Sequence, residues 1–304
     1  MQVTPMRHIK PAKPNPYSGG ALDRAAHLRE DEAFLARAAL NPASRVTYFW
    51  QGKHLLTGPE APRAHLLPLQ RHMPPTLFLG LHEDTPVFAH DLSAHPEPPA
   101  FDGGAFHDLR GLASLLPADH AALLATTRGV LHWHNTHRFC PACGNAVRPV
   151  RAGWVLQCTN CQREHFPRTD AAVIMLITKD DKLLLGQSHR FPHDRNYFST
   201  LAGFVEPGEA LEDAVRREVL EEVGVRVGEV MYHSSQPWPF PASLMLGYYG
   251  EALTEEITLQ ESEMRAARWF TPAEIANRQM LGFELPPPDS IARALIEDWL
   301  AAHK

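Results

Sequence analysis

The chain is short of cysteine, of long apolar runs and of positive charge. Only four cysteines occur in 304 residues, all between Cys140 and Cys161, too few and too clustered for a disulfide-stapled secreted scaffold. No run approaches the ~18 apolar residues of a membrane span, so no membrane partner is expected. The N-terminal MQVTPMRHIKPAKPNPYSGG has lysines and prolines but no apolar h-region, and it does not read as a signal peptide. The C-terminal LAAHK fits neither a retention nor a peroxisomal address. A cytoplasmic location with reduced thiols is the default expectation. The formal net charge of −6 argues against a protein that mainly coats nucleic acid, because that work needs a basic surface to displace counterions. No internal repeat is visible.

What is present is an ordinary globular composition, 44% hydrophobic, with a length that suggests about two domains at roughly 150 residues each. The first 20 residues, rich in Pro and Gly, read as a mobile or wrapping arm. DEAFLARAALNP reads as a short helix, while RVTYFWQGKHLLTG and PTLFLGLHEDTPVFAHDL each read as two strands around a turn. DHAALLATTRGVLHWHNTH has helical apolar spacing and leads into Cys140. Further on, AAVIMLITKDDKLLLGQ reads as strand, Asp-Asp turn and strand, NYFSTLAGF as a third strand, and PPPDSIARALIEDWLAAHK as a helix capped by Asp289 or Ser290.

The four cysteines form C-x₂-C, a gap of 14 residues, then C-x₂-C. Each pair can make one knuckle of a tetrahedral thiolate zinc site. With Cys140, Cys143, Cys158 and Cys161 filling all positions, no site is left for water, so the expected Zn²⁺ is structural. The nearby His132, His134 and His137 are then superfluous as ligands. Between Arg138 and Asp170 there are five arginines and two acids. Two readings stay open for this local positive charge: a phosphate-bearing ligand or partner, or simple solubility.

The densest signal is LAGFVEPGEALEDAVRREVLEEVGV, with seven carboxylates. Pro207-Gly208 signals a turn and Gly224 a left-handed helix cap, which predicts a helix from about Glu209 or Ala210 to Val223. Glu218, Glu221 and Glu222 share a face at i, i+3 and i+4, beside an apolar stripe of Val215, Val219 and Val223. The bland alternative is a solvated face. Yet like charges at this spacing cost free energy, and Arg217 alone does not offset three acids plus Glu206 and Glu209. A hard divalent cation does, and Mg²⁺ binds through a few carboxylates while keeping positions for water and substrate phosphates.

The same stretch resembles, position for position, the Nudix box: Gly203, five residues, Glu209, seven residues, Arg217-Glu218, two residues, Glu221-Glu222, one residue and Gly224. The resemblance implies Mg²⁺- or Mn²⁺-dependent hydrolysis of a nucleoside diphosphate linked to another group. It assigns the metal to Glu218, Glu221 and Glu222, a metal-binding carbonyl to Ala202, and an orienting role to Glu209. A second motif, SQPWPFPAS at Ser235 to Ser243, begins ten residues after the box. Its prolines cannot join a central sheet ladder, which leaves Trp238 and Phe240 on a stiff, extended backbone; an aromatic plug is the bland alternative.

Box, proline motif and cysteine spacing together are similar to the bacterial NADH pyrophosphatases of the Nudix superfamily. That resemblance implies an α+β chain: a divergent Nudix-like, mixed α/β domain over 1–134, a four-Cys zinc ribbon over 135–167, and a Nudix α/β/α sandwich over 168–304. It implies a homodimer that cleaves NAD(H) to nicotinamide mononucleotide and AMP and can remove an NAD cap from the 5′ end of RNA. By the same resemblance Gln236, Pro237, Trp238, Pro239, Phe240, Pro241, Ala242 and Ser243 line the substrate site. Phe166 and Phe204 offer aromatic surfaces, Glu263 is a further metal ligand, Ala292 a backbone contact and Arg110 a weaker candidate. Gly153 departs from the pattern, since some relatives have a substrate-contacting acid before the ribbon tryptophan.

The implied mechanism delivers water in line to phosphorus, with metal held by Glu218, Glu221, Glu222 and Glu263 offsetting the phosphate charge. Glu221 or Glu222 is the expected base. Two alternatives remain: a Nudix hydrolase of ADP-ribose or another dinucleotide, and a non-enzymatic ligand-sensing regulator whose zinc ribbon binds nucleic acid. The intact glutamates and the negative net charge argue against the regulator.

Overall fold

The structure, a computed structural model, describes residues 11–58, 60–70, 75–191 and 194–303. The first ten residues of the expected arm lie outside the described residues. The chain forms two compact units: Pro16–Thr169 with Trp238–Ala242, and the chain up to Asn15 with Asp170–Pro237 and Ser243–Lys304.

In the first unit a parallel pair, Arg45–Trp50 beside Thr85–Asp91, is the centre of a seven-stranded sheet. The expected strand pairs Arg45–Trp50 with Lys53–Thr57 and Leu77–His82 with Thr85–Asp91 are both present as antiparallel hairpins. The helix Ala118–Thr136 buries Leu123, Leu124 and Leu131 in one core with Leu77, Leu79 and Ala89. The ribbon belongs to this unit and contributes a three-stranded sheet of Val147–Val150, Val155–Cys158 and Glu164–His165. It is tied down by Trp154, whose Nε1 donates to Phe78 O at 2.7 Å, and by His134, whose Nε2 meets Gly153 O at 2.7 Å. Gly153 has φ of 94° and an added Cβ would lie 2.7 Å from Thr76 O. An acidic side chain therefore has no room at that position.

The second unit is a six-stranded sheet ordered Val227–Trp238, Ser243–Ala252, Asp170–Lys179, Lys182–Ser188, Met264–Phe270, with Leu201–Phe204 also on Asp170–Lys179. Asp170–Lys179 and Ser243–Ala252 run parallel. Period-2 alternation divides the central strand between two cores. Ile174 and Leu176 face one that includes Leu295, Ile296 and Trp299 of the helix Ile291–Ala302. Val173, Met175 and Ile177 face one that includes Val215, Val219 and Val223 of the helix Leu211–Val223. This is the expected α/β/α sandwich. Ser290 is the N-cap of the last helix, accepting from Arg293 N at 3.2 Å. The described end of the N-terminal arm wraps rather than dangles: Asn15 is buried, and its Nδ2 donates to Ser234 Oγ at 2.9 Å and Ser235 O at 3.0 Å.

Candidate active site

The carboxylate-rich helix runs Leu211–Val223, starting slightly later than its sequence suggests, with Ala210 as N-cap and Gly224 left-handed at φ 71°. Its three valines are fully buried. Each contributes roughly 1.5–3 kcal/mol by burial, against a few tenths of a kcal/mol for each like-charge pair. Packing therefore wins, and the glutamates are held together despite their repulsion.

Glu218, Glu221 and Glu222 line one cavity of about 410 Å³ with Ala202, Gly203, Phe204 and Glu263. Gly203 leaves the Glu218 carboxylate its place: a Cβ there would run into it and push it aside. Arg217 is the hub of the rim. Its Nε donates to Glu209 Oε1 at 2.7 Å and Nη2 to Glu209 Oε2 at 2.8 Å. Nη1 donates to Glu218 Oε1 at 2.9 Å and Glu221 Oε2 at 3.0 Å, and Nη2 also reaches Phe204 O at 2.9 Å. Glu206 N closes the loop on Glu209 Oε2 at 3.0 Å. The Arg217 hydrogen bonds, then the Glu206 amide, hold Glu209 down at about 2, and Arg217 is raised in return, first by Glu209.

Glu222 has no such partner. It is 8% exposed, and its Oε2 is buried with no hydrogen-bond partner among the described residues. Burial first, then the charges of Glu218 and Glu263, push it up to about 8. Glu218 is also raised, chiefly by burial, with Arg217 opposing. A buried carboxylate oxygen without a donor, surrounded by other carboxylates, is a site that a divalent cation would complete. The carboxylates are not yet gathered as ligands: Glu218 and Glu221 are turned onto Arg217, and Glu221 is 59% exposed.

Among the described residues, the four cysteines are the group whose ligand atoms all lie within 4.8 Å of one another. Cys143 Sγ lies 3.4 Å from Cys158 Sγ and 3.6 Å from Cys161 Sγ, and Cys140 Sγ lies 3.7 Å from Cys161 Sγ. A tetrahedron with metal–sulfur bonds of about 2.3 Å has sulfurs ~3.8 Å apart, so the donor set fits zinc. The backbone N–H groups of Asn160 and Cys161 both donate to Cys158 Sγ at 3.4 Å, which fixes that sulfur in the cluster.

The proline motif divides between the units. Gln236 is fully buried in the second unit, donating to Asp289 O at 2.7 Å and accepting from Ile291 N at 2.8 Å. Pro237 is the penultimate residue of the edge strand Val227–Trp238, where a missing N–H is tolerated. Trp238, Pro239, Phe240, Pro241 and Ala242 belong to the other unit. There Trp238 and Phe240 pack edge to face with Tyr17 against that unit's core. Arg110 and Arg128 lie over Phe240 at 4.9 and 4.7 Å, and Arg128 Nε donates to Pro239 O at 2.8 Å. The aromatic pair is thus packed rather than projected. Ser243 opens the strand Ser243–Ala252, and Ala292 is buried in the last helix. Phe204 is 54% and Phe166 62% exposed, Phe204 on the cavity wall. Sequence reasoning missed Ser188, Arg190, Phe191 and Thr200 of the same wall, which carry no local motif.

No helix among the described residues is long and apolar enough to cross a membrane. Three family models match in succession: an NADH pyrophosphatase-like rudimentary NUDIX domain over residues 43–133, an NADH pyrophosphatase zinc ribbon domain over 135–166, and a NUDIX domain over 167–289. The chain is 40% identical over 223 residues to the NAD-capped RNA hydrolase NudC of Stutzerimonas stutzeri, covering 73% of this chain and 76% of that protein. It is 42% identical over 199 residues to the NAD-capped RNA hydrolase NUDT12 of Homo sapiens, covering 61% of this chain. It spans only 43% of that human relative's length. A Nudix hydrolase structure from Nitrosomonas europaea overlays 49% of this chain and 97% of its own at 21% identity and a TM-score of 0.40. With all three domain types matched in order and a bacterial relative covered over most of its length, the chain belongs to the NADH pyrophosphatase family of Nudix hydrolases.

Proposed function

We propose that this chain hydrolyses the pyrophosphate bond of NAD(H) to nicotinamide mononucleotide and AMP, and removes the NAD cap from the 5′ end of RNA. The observation that carries the reading is the unpartnered, buried Glu222 carboxylate in a cavity shared with Glu218, Glu221 and Glu263. Mg²⁺ or Mn²⁺ would be held by Glu218, Glu221, Glu222 and Glu263 with the Ala202 carbonyl. Such a cation, when bound, polarises phosphoryl oxygens and lowers the pKa of its water. Glu221 or Glu222 accepts the proton of the attacking water. Arg217 keeps Glu209 and its loop in place and hands Glu218 and Glu221 to the site. Phe204 offers a stacking surface for a base at the cavity wall, and the proposal counts Phe166, Arg110, the segment Gln236 to Ser243 and the Ala292 backbone as further substrate-binding groups.

The proposal extends to the division 1–134, 135–167 and 168–304, to one structural Zn²⁺ on the cysteines, to a cytoplasmic location and to a homodimer. Two exposed aromatics of the ribbon, Phe139 and Phe166, each 62% exposed, favour the homodimer. ADP-ribose as the preferred substrate is favoured by one observation, the packing of the partly buried Trp238 and Phe240 against a core. The deciding experiment incubates purified protein with NADH and Mg²⁺ and identifies products by mass. Reduced nicotinamide mononucleotide plus AMP is expected; intact NADH beside rapid cleavage of ADP-ribose would transfer the assignment.

A further inference from the structure

The cavity wall contains two guanidinium groups, and they are in opposite states. Arg217 is saturated by Glu209, Glu218, Glu221 and the Phe204 carbonyl, so it has little capacity left for a ligand. Arg190 lies on the same wall, and its guanidinium has no hydrogen bond or ion pair among the described residues. Its charge nevertheless reaches Glu222, whose proton affinity it lowers against the larger upward push of burial.

The backbone holds it there. The antiparallel neighbours Lys182–Ser188 and Met264–Phe270 slip register between Gln187 and Ser188. Immediately after this irregularity His189 N donates to Glu263 O at 2.9 Å, and His189 Nε2 meets Glu261 O at 3.0 Å. Arg190 N donates to Ser188 Oγ at 3.2 Å, Phe191 N donates to Ser188 O at 3.1 Å, and the Phe191 ring packs on Tyr197 at 4.7 Å. The turn is thus fastened on both sides of Arg190, directly beside the residue expected to be the outlying metal ligand.

A cation placed among carboxylates and left without one of them is poised for a different anion. The wall carries Glu206, Glu218, Glu221, Glu222 and Glu263, which would repel an entering pyrophosphate. Guanidinium is suited to offset that repulsion, because its planar fork binds phosphoryl oxygens bidentately. We propose that Arg190 is a substrate-binding residue whose guanidinium takes the non-bridging oxygens of the dinucleotide's pyrophosphate. The proposal rests on the reading of this cavity as the hydrolytic site.

The test compares the full chain with Arg190→Ala, Arg190→Gln and Arg190→Lys. Steady-state kinetics are measured on NADH and ADP-ribose, and calorimetric titration uses inorganic pyrophosphate in excess Mg²⁺. A lost charge-assisted hydrogen bond is worth about 10- to 100-fold. The Ala and Gln variants should lose that factor in kcat/KM on both substrates alike and in pyrophosphate affinity, with Lys recovering part and Tm unchanged. Kinetics and pyrophosphate binding within about twofold of wild type, a loss confined to NADH, or a fall in Tm matching the lost activity would each overturn it. A wild type that cleaves ADP-ribose but not NADH would sink the substrate reading alone, because the pyrophosphate titration judges Arg190 independently of turnover.

Discussion

Arg217 grips Glu209 through two parallel hydrogen bonds, Nε to Oε1 at 2.7 Å and Nη2 to Oε2 at 2.8 Å. This fork ties the turn that precedes the helix to the helix itself. A lysine keeps the charge but has no fork. Arg217→Lys should therefore fold normally by circular dichroism yet lose roughly 10- to 100-fold in kcat, since Glu218 and Glu221 lose their shared anchor. Wild-type turnover by this variant would show that the fork is dispensable.

Glu222 separates stability from activity. Its folded pKa of about 8 lies above the ordinary 4.5, so the unfolded chain releases this proton more readily and metal-free stability falls as pH rises from 4.5 to about 8. Glu222→Gln removes that penalty. The metal-free variant should melt higher than wild type at pH 8, by roughly 2–4 °C per kcal/mol relieved, while kcat falls by at least on the order of 10²-fold. Adding Mg²⁺ should raise the wild-type Tm and leave the variant nearly unmoved. A variant that melts lower without metal, or keeps its turnover, contradicts the assignment.

His54 makes the first unit acid-sensitive. It is fully buried on the strand Lys53–Thr57, with both ring nitrogens unpartnered among the described residues. Burial first and Arg128 second depress it to about 3. The folded state stays neutral while the unfolded chain gains a proton below about 6.5, so stability drops as pH falls from 6.5 towards 3, by up to ~1.4 kcal/mol per pH unit. Urea unfolding at pH 7.5 and 5.5 should show His54→Phe losing less stability than wild type. Equal losses in the two proteins would refute this.

Metal analysis of freshly purified protein should find one zinc per chain that excess Mg²⁺ does not displace. Cys143→Ser should impair folding or dimerisation before chemistry, because structural zinc contributes on the order of 10 kcal/mol of apparent binding energy. Absence of zinc from active, folded protein would remove the four-thiolate site from the account.

Substrate choice should rest on exposed rings, since in the proposed site Glu218, Glu221 and Glu222 would serve only the pyrophosphate common to all candidates. Stacking one base is worth ~1–3 kcal/mol, or roughly 5- to 150-fold. Phe166→Ala and Phe204→Ala should reduce kcat/KM for NADH much more than for ADP-ribose. Equal losses on both would favour the ADP-ribose alternative.

Local chemistry made much of this legible in advance. Cys140 to Cys161 announce a ribbon because a knuckle is a short-range geometry. Val215, Val219, Val223 and the intervening glutamates announce an amphipathic helix because its faces repeat within i to i+4, and Gly224 stops it for a reason of backbone sterics. Contacts distant in sequence were a different matter. The sandwich brings Glu263 onto the wall with Glu222, a meeting that the family resemblance implied but no local spacing encodes, and a register slip puts Arg190 beside it, which neither indicated. Trp238 and Phe240 looked projected because prolines stiffen them, but hydrophobic burial against Tyr17 is non-directional and outweighed exposure. Residue types and spacings along the chain thus determined the elements and their chemistry, while tertiary packing alone decided that Glu222 would be left without a donor, Arg217 without a vacancy and Arg190 without a partner. The physical reason is that burial and pairing depend on which surfaces meet, and that is settled by the summed packing of the whole unit.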